Sequence, residues 1–147
     1  MNLILPKPNF KFLKKEDNLY VFDRVRKKFV LLTPEEYVRQ SLVNYLIEYK
    51  NYPEKLISIE YTAIKNRKLF RFDIACFNQN LEIILIAECK SPFVKIDYKA
   101  MYQISIYNEI HTTKVLVLTN GLKLYVLQKV NEWKILNDIP NYFTLNY

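Results

Sequence analysis

Glu88 and Lys90 stand two residues apart at the end of the most apolar run in the chain, residues 83–87. In an extended strand that spacing puts both side chains on one face. A carboxylate and an ammonium at the end of a buried strand are costly unless they are paired or used. The preceding apolar run carries Arg71-Phe72-Asp73, and Asn78-Gln79-Asn80 separates the two runs. Asp73 lies seven residues before Asn80 and Glu88 eight after it. An antiparallel fold-back therefore brings the two acids to about the same level. Two carboxylates meeting there repel each other, and a divalent cation relieves the conflict. Oxygen ligands without His or Cys suit Mg2+ or Mn2+. Such an ion lowers the pKa of bound water and stabilises charge on a phosphoryl group, and a nearby lysine adds to that stabilisation. The plain alternative is a buried ion pair between Lys90 and the acids.

The elements that must position these residues are readable from periodicity. Residues 10–13, 19–22 and 28–32 are strand-like, and residues 14–18 between the first two read as a turn. Thr33-Pro34-Glu35-Glu36 opens a helix, with Thr33 as N-cap, Pro34 at the first helical position and Glu36 at the capping-box position. Val38, Leu42, Tyr45, Leu46 and Tyr49 follow at helical spacing, and the helix should end near Asn51, before Tyr52-Pro53. Residues 56–64, 69–77 and 81–89 form a three-strand meander. The last of these is apolar on both faces and hence central.

Asp97 caps a second helix to about Ile110, with Ala100, Met101, Ile104 and Tyr107 inward. Residues 114–119 make a β-branched strand, Asn120-Gly121 a hairpin turn, and residues 122–128 the return. Residues 133–136 add an edge strand. A strand–helix–strand crossover implies one parallel pair in a mixed sheet. The expectation is one α/β domain over residues 1–147: a mixed central sheet flanked by helices over residues 33–130, preceded by an N-terminal β-hairpin over residues 1–32.

Composition bounds the function classes. The chain has 147 residues, half of them hydrophobic and a quarter charged, which argues for a packed core and against disorder. No apolar run approaches the roughly 18 residues of a spanning helix. The first twelve residues lack the pattern of a signal peptide. The reading is a cytoplasmic protein with no membrane partner. Cys76 and Cys89 lie in apolar runs without a CxxC or His companion, so they read as buried thiols and not as a zinc site. The net charge of +7 favours polyanionic partners without specifying one.

Asp73, Glu88-Cys89-Lys90 and the helix after them resemble the PD-(D/E)XK nuclease superfamily. That helix carries Gln103-Ile104-Ser105-Ile106-Tyr107, which is similar to the QxxxY motif of the RecB-like branch; a surface Gln and a core Tyr are the bland alternative. Pro34-Glu35-Glu36-Tyr37-Val38-Arg39-Gln40, Arg71-Phe72-Asp73, Glu88-Cys89-Lys90 and Thr119-Asn120-Gly121 occur in order. Together they resemble the N-terminal nuclease domain of type I restriction enzyme restriction subunits over about residues 25–130.

The resemblance implies a restriction-endonuclease-like core and a Mg2+-dependent (or Mn2+-dependent) endonuclease acting on DNA. It implies Asp73 and Glu88 as metal ligands, Lys90 as catalytic, and Gln103 and Tyr107 as site residues. It also implies Glu36 as an acid that assists the metal, a role that competes with the capping box. Arg39 either contacts phosphate or pairs with Glu35 or Glu36. Lys65, Arg67 and Lys68, with Lys95 and Lys99, are candidate phosphate contacts; a solvated basic turn explains the first three equally well. The chain departs from the pattern in two ways. Phe72 replaces the proline before Asp73, and no GxxxxGK[ST] motor motif is present. A separate motor or specificity protein is therefore an expected partner. The aromatic content leaves room for a homodimer, and a non-catalytic nucleic-acid- or protein-binding module is the rival reading.

Overall fold

The computed structural model describes residues 2–110 and 113–145, with side chains left out at residues 103 and 106–110. Three strands, β1 (Phe12–Lys15), β2 (Asn18–Asp23) and β3 (Lys28–Leu31), form an antiparallel sheet in the order β1-β2-β3. The first turn is tighter than the sequence indicates. Lys14 and Lys15 stay paired with Leu19 and Asn18, and Glu16 takes φ +53° to close the reversal.

Helix α1 (Pro34–Lys50) begins where the Thr33 hydroxyl accepts the Glu36 amide at 3.0 Å. It ends where Asn51 adopts a left-handed conformation, φ +60°. A left-handed Asn just past a helix is a common stop, because its short polar side chain tolerates that region.

The main sheet runs β4 (Ile57–Lys65), β5 (Lys68–Phe77), β6 (Ile83–Cys89), β7 (Val115–Thr119), β8 (Leu124–Lys129) and β9 (Trp133–Leu136), hydrogen-bonded in that order. Among the described residues its one parallel pair is β6–β7, joined through helix α2 (Tyr98–Ile110). The mixed sheet, both helices and the single crossover are as the periodicity predicts.

Each face of the sheet buries its own core. Val38, Leu42, Val43 and Leu46 of α1 cover one face, against Ile57, Ile74, Leu85, Val115 and Val117. Met101 and Ile104 of α2, with Ile96, cover the other, against Phe70, Phe72, Ile86, Leu116 and Leu118. Burying both faces explains why β6 and β7 are almost continuously apolar. The first core extends further than the sequence indicates. Ile139, Tyr142 and Leu145, beyond β9, pack into it, and the Tyr52 hydroxyl donates to the Pro140 carbonyl at 3.2 Å.

The Asn120-Gly121 turn differs from a two-residue hairpin, since β7 ends at Thr119 and β8 begins at Leu124. The Asn120 side-chain oxygen accepts from the Leu122 and Lys123 amides at 3.0 and 2.9 Å, which stabilises a four-residue loop. Gly121 holds φ +81° and sits so close to Leu3 and Val38 that an added Cβ would meet Leu3 Cδ2 at 2.5 Å. The positive φ selects glycine there, and any side chain would also oblige Leu3 to shift. Among the described residues no helix is long and apolar enough to cross a membrane.

Candidate active site

The pairing of β5 with β6 sets Ile74 opposite Ala87. Asp73 and Glu88 are the next residues on the two strands, just beyond that last pair. The carboxylate of Asp73 is held at both oxygens. Its Oδ2 accepts the Cys89 backbone amide at 2.7 Å, and its Oδ1 accepts Arg39 Nη2 at 2.9 Å. Glu88 Oε1 accepts Lys90 Nζ at 2.7 Å. Lys90 follows directly after β6, and its amide donates to the Thr119 carbonyl at 2.8 Å, so β7 fixes the start of its loop.

The local backbone is irregular where the acids meet. In β5, Phe70 and Phe72 face α2, whereas Ile74 and Cys76 face α1. In β4, Tyr61 lies with the α2 cluster, whereas Ile57 and Ile59 lie under α1. Both strands therefore change face at one level. The β4–β5 ladder skips the Glu60–Asp73 pair there, and Glu60 takes φ +54°. A non-glycine residue at positive φ inside a strand is strained, and such strain concentrates at functional sites.

Electrostatics follow from this placement. Burial first, and the neighbouring Asp73 charge second, raise the pKa of the Glu88 carboxyl, with Lys90 opposing both. Burial alone would lower the Lys90 pKa; the bond to Glu88 and the charges of Glu88, Asp73 and Glu35 outweigh it and raise the value. Because the folded Glu88 pKa is raised, the native state binds more protons than the unfolded chain between the two values. The Glu88 contribution to stability therefore falls as pH rises from the ordinary glutamate range through the folded value. Glu88→Gln should flatten that slope, measured as unfolding free energy against pH in metal-free buffer; an unchanged slope would contradict this account of Glu88.

Glu36 does not join the two acids. Its carboxylate accepts from Arg26 Nη2 at 2.8 Å, Gln40 Nε2 at 2.8 Å and Arg39 Nη1 at 2.5 Å. Arg39 thus stands between Glu36 and Asp73. Among the described residues no three His, Cys, Asp or Glu side chains are grouped as a metal cage. Nor does Glu36 complete a capping box, because the Thr33 amide donates to the Leu31 carbonyl at 3.1 Å. Arg39 is 6% exposed and also reaches Glu35 at 3.3 Å, so its guanidinium is engaged inside the protein and not offered to solvent.

Several residues outside the sequence reading belong to this network. Asp23, fully buried, accepts from the Val25 and Arg26 amides at 2.8 Å each, from Gln40 Nε2 at 2.8 Å, and from Arg26 Nε. Arg26 Nη1 continues to Glu60 at 3.2 Å, and Arg71 also pairs with Glu60. The chain of contacts runs from β2 through Arg26, Glu36 and Arg39 to Asp73. An Asp before an arginine is the available sequence signal, but the contacts of the network span up to 34 residues.

The basic candidates fall in two places. Lys65, Arg67 and Lys68 lie at the exposed β4–β5 turn, where the hairpin runs on past the end of β6. Lys68 is five positions before Asp73, about 17 Å of extended chain. Lys95 and Lys99 are exposed beside the start of α2, close in sequence to Lys90. The Gln103 and Tyr107 side chains lie outside the described residues.

A family model described as Type I restriction enzyme R protein N terminus (HSDR_N) matches residues 34–140. No curated protein and no solved structure matches the chain. The matched span runs from the first residue of α1 past β9 and contains Asp73, Glu88 and Lys90. This chain belongs to the family of the type I restriction enzyme R protein N terminus.

Proposed function

We propose that the protein is a Mg2+-dependent (or Mn2+-dependent) phosphodiesterase acting on DNA, with its site at Asp73, Glu88 and Lys90. The observation that carries this reading is that Asp73 and Glu88 come next after the last β5–β6 pair, close enough for the Asp73 charge to raise the Glu88 pKa, with the Lys90 ammonium on Glu88. The donor set fits a hard divalent cation. Both donors are carboxylates, and the Glu88 pKa is raised by burial and by the Asp73 charge, a conflict that added positive charge relieves. Asp73 and Glu88 would hold the ion. When bound, the ion would supply Lewis acidity and a water of lowered pKa.

The remaining chemistry belongs to the chain. The Cys89 amide and Arg39 fix the Asp73 carboxylate in one orientation. Lys90, about two-fifths exposed, is near enough to solvent to reach a scissile phosphate and stabilise charge developing on it. Gln103 and Tyr107 are proposed to line the same end of the sheet. DNA as substrate rests on family membership and on the net charge of +7. Any motor or specificity function is proposed to come from a partner.

The test is relaxation of supercoiled plasmid with Mg2+ or Mn2+, with wild type beside Asp73→Ala. Activity confined to wild type supports the reading, and equal activity in both defeats it. The second reading, a non-catalytic binding module, is favoured by one observation: Arg39 already neutralises Asp73 from within. On that reading neither protein nicks plasmid.

A further inference from the structure

The loop between Lys90 and α2, together with the start of α2, displays three aromatic rings. Phe93, three residues after Lys90, is 79% exposed; Tyr98 and Tyr102 are 61% and 69% exposed. Single exposed apolar side chains are ordinary. Three exposed rings within ten residues, following directly in sequence on Lys90, are a concentration that calls for a partner.

The backbone beneath Phe93 is fixed. The Val94 amide donates to the Ser91 carbonyl at 2.9 Å, and the Phe93 amide to the Ser91 hydroxyl at 3.3 Å. Asn120, itself 5% exposed, donates from Nδ2 to the Val94 carbonyl at 2.8 Å. Ile96, 2% exposed, anchors the other side of the turn in the core under α2. The Asn120-Gly121 loop therefore does more than reverse the chain, since it holds the turn that presents Phe93.

The charge around the rings is net positive, two lysines against one acid. Lys95 lies between Phe93 and Tyr98, and Lys99 between Tyr98 and Tyr102, both exposed. Asp97 is the one acid from residue 91 to 102, and it is engaged as the cap of α2, accepting the Lys99 and Ala100 amides at 3.0 and 3.1 Å. Tyr98 and Tyr102 are one helical turn apart and share a face. Tyr98 is steadied by Tyr125, with ring centroids 5.1 Å apart.

Aromatic faces alternating with ammonium groups are what an unpaired polynucleotide recognises: bases stack on the rings while lysines follow the phosphates. A duplex keeps its base faces covered and offers the rings nothing. Lysines interleaved with the rings favour a polyanion over an apolar protein partner.

We propose that Phe93, Tyr98 and Tyr102, with Lys95 and Lys99, form a stacking platform that directs single-stranded or frayed DNA to the Lys90 end of the sheet. This rests on the phosphodiesterase reading for its purpose, but its binding test does not depend on cleavage. Fluorescence anisotropy of a labelled twelve-nucleotide oligo(dT), against a duplex of the same length in EDTA, measures it. Wild type should bind oligo(dT) more tightly than duplex. Phe93→Ala and Tyr102→Ala should each weaken oligo(dT) binding about tenfold while leaving duplex binding within about twofold, and Phe93→Trp should retain it. Lys95→Gln should weaken both probes alike. Duplex bound as tightly as oligo(dT), or alanine variants that bind oligo(dT) like wild type, would overturn the proposal. An inactive protein that prefers oligo(dT) would leave the platform standing while the nuclease reading fell. A plasmid-nicking protein without that preference would do the reverse.

Discussion

Arg39→Ala should lower the unfolding free energy by about 3–5 kcal/mol, the usual cost of removing one partner from a buried ion pair. Arg39 is 6% exposed and bonds Asp73, Glu36 and Glu35 at 2.9, 2.5 and 3.3 Å. Burial by itself would lower the Arg39 pKa, but the Asp73 and Glu36 charges outweigh it and raise the value. Without the guanidinium, Asp73 and Glu36 face each other with the intervening charge gone. Urea denaturation of wild type and variant checks the magnitude. Arg39→Met combined with Asp73→Asn and Glu36→Gln should recover most of the loss, because neutral groups of similar volume no longer need the cation. A loss under about 1 kcal/mol for Arg39→Ala would show that the network is solvated rather than buried. The same network predicts a consequence outside the family-matched residues 34–140. Arg26, contributed by the turn between β2 and β3, holds Glu36 and through it Arg39. The three-stranded sheet is thereby tied to the orientation of Asp73.

Lys90→Ala should reduce plasmid nicking about 10²–10³-fold, the range seen when one group that stabilises developing charge is removed. Lys90 is about two-fifths exposed and bonds Glu88, so its removal costs little packing and the variant should stay folded. The loss should appear in kcat with KM nearly unchanged, because the ammonium acts on charge that develops in the transition state. Lys90→Arg restores the charge without the compact ammonium geometry and should recover only part of the rate. Single-turnover cleavage of a plasmid substrate separates the two effects. A Lys90→Ala protein with wild-type kcat would reduce Lys90 to a salt-bridge partner of Glu88.

Much of this site was legible because strand spacing and turn length are local properties. Counting outward from the turn at residues 78–80 puts Asp73 level with Glu88, and the observed register ends one step short of them, with Ile74 opposite Ala87. Two-residue alternation likewise put Glu88 and Lys90 together, and they bond at 2.7 Å. What was not legible depends on distant partners or on broken alternation. Arg39 could be paired with its helical neighbours from spacing, but its bond to Asp73 spans 34 residues and requires α1 to lie over β5. Asp23 and Arg26 fall between the strand-like runs 19–22 and 28–32, and no local pattern announces that they serve α1. The face change at Glu60 and Asp73 defeats period-two reading, since a glutamate at positive φ carries no sequence signature comparable to glycine. Ile139, Tyr142 and Leu145 recur every third residue, but over a stretch too short and too close to Pro140 to declare an element, yet all three are buried. Asn120 reads as a turn residue from its pairing with Gly121, and nothing local marks its bond to Val94, 26 residues away.

The proposal that Asp73 and Glu88 form one divalent-metal site is tested most directly by calorimetric titration with Mn2+. Wild type should bind one ion with a stoichiometry near unity. Asp73→Asn and Glu88→Gln should each abolish that binding while the circular dichroism spectrum stays that of the folded protein. Mn2+ binding that is absent from wild type, or that survives both substitutions, would contradict the account.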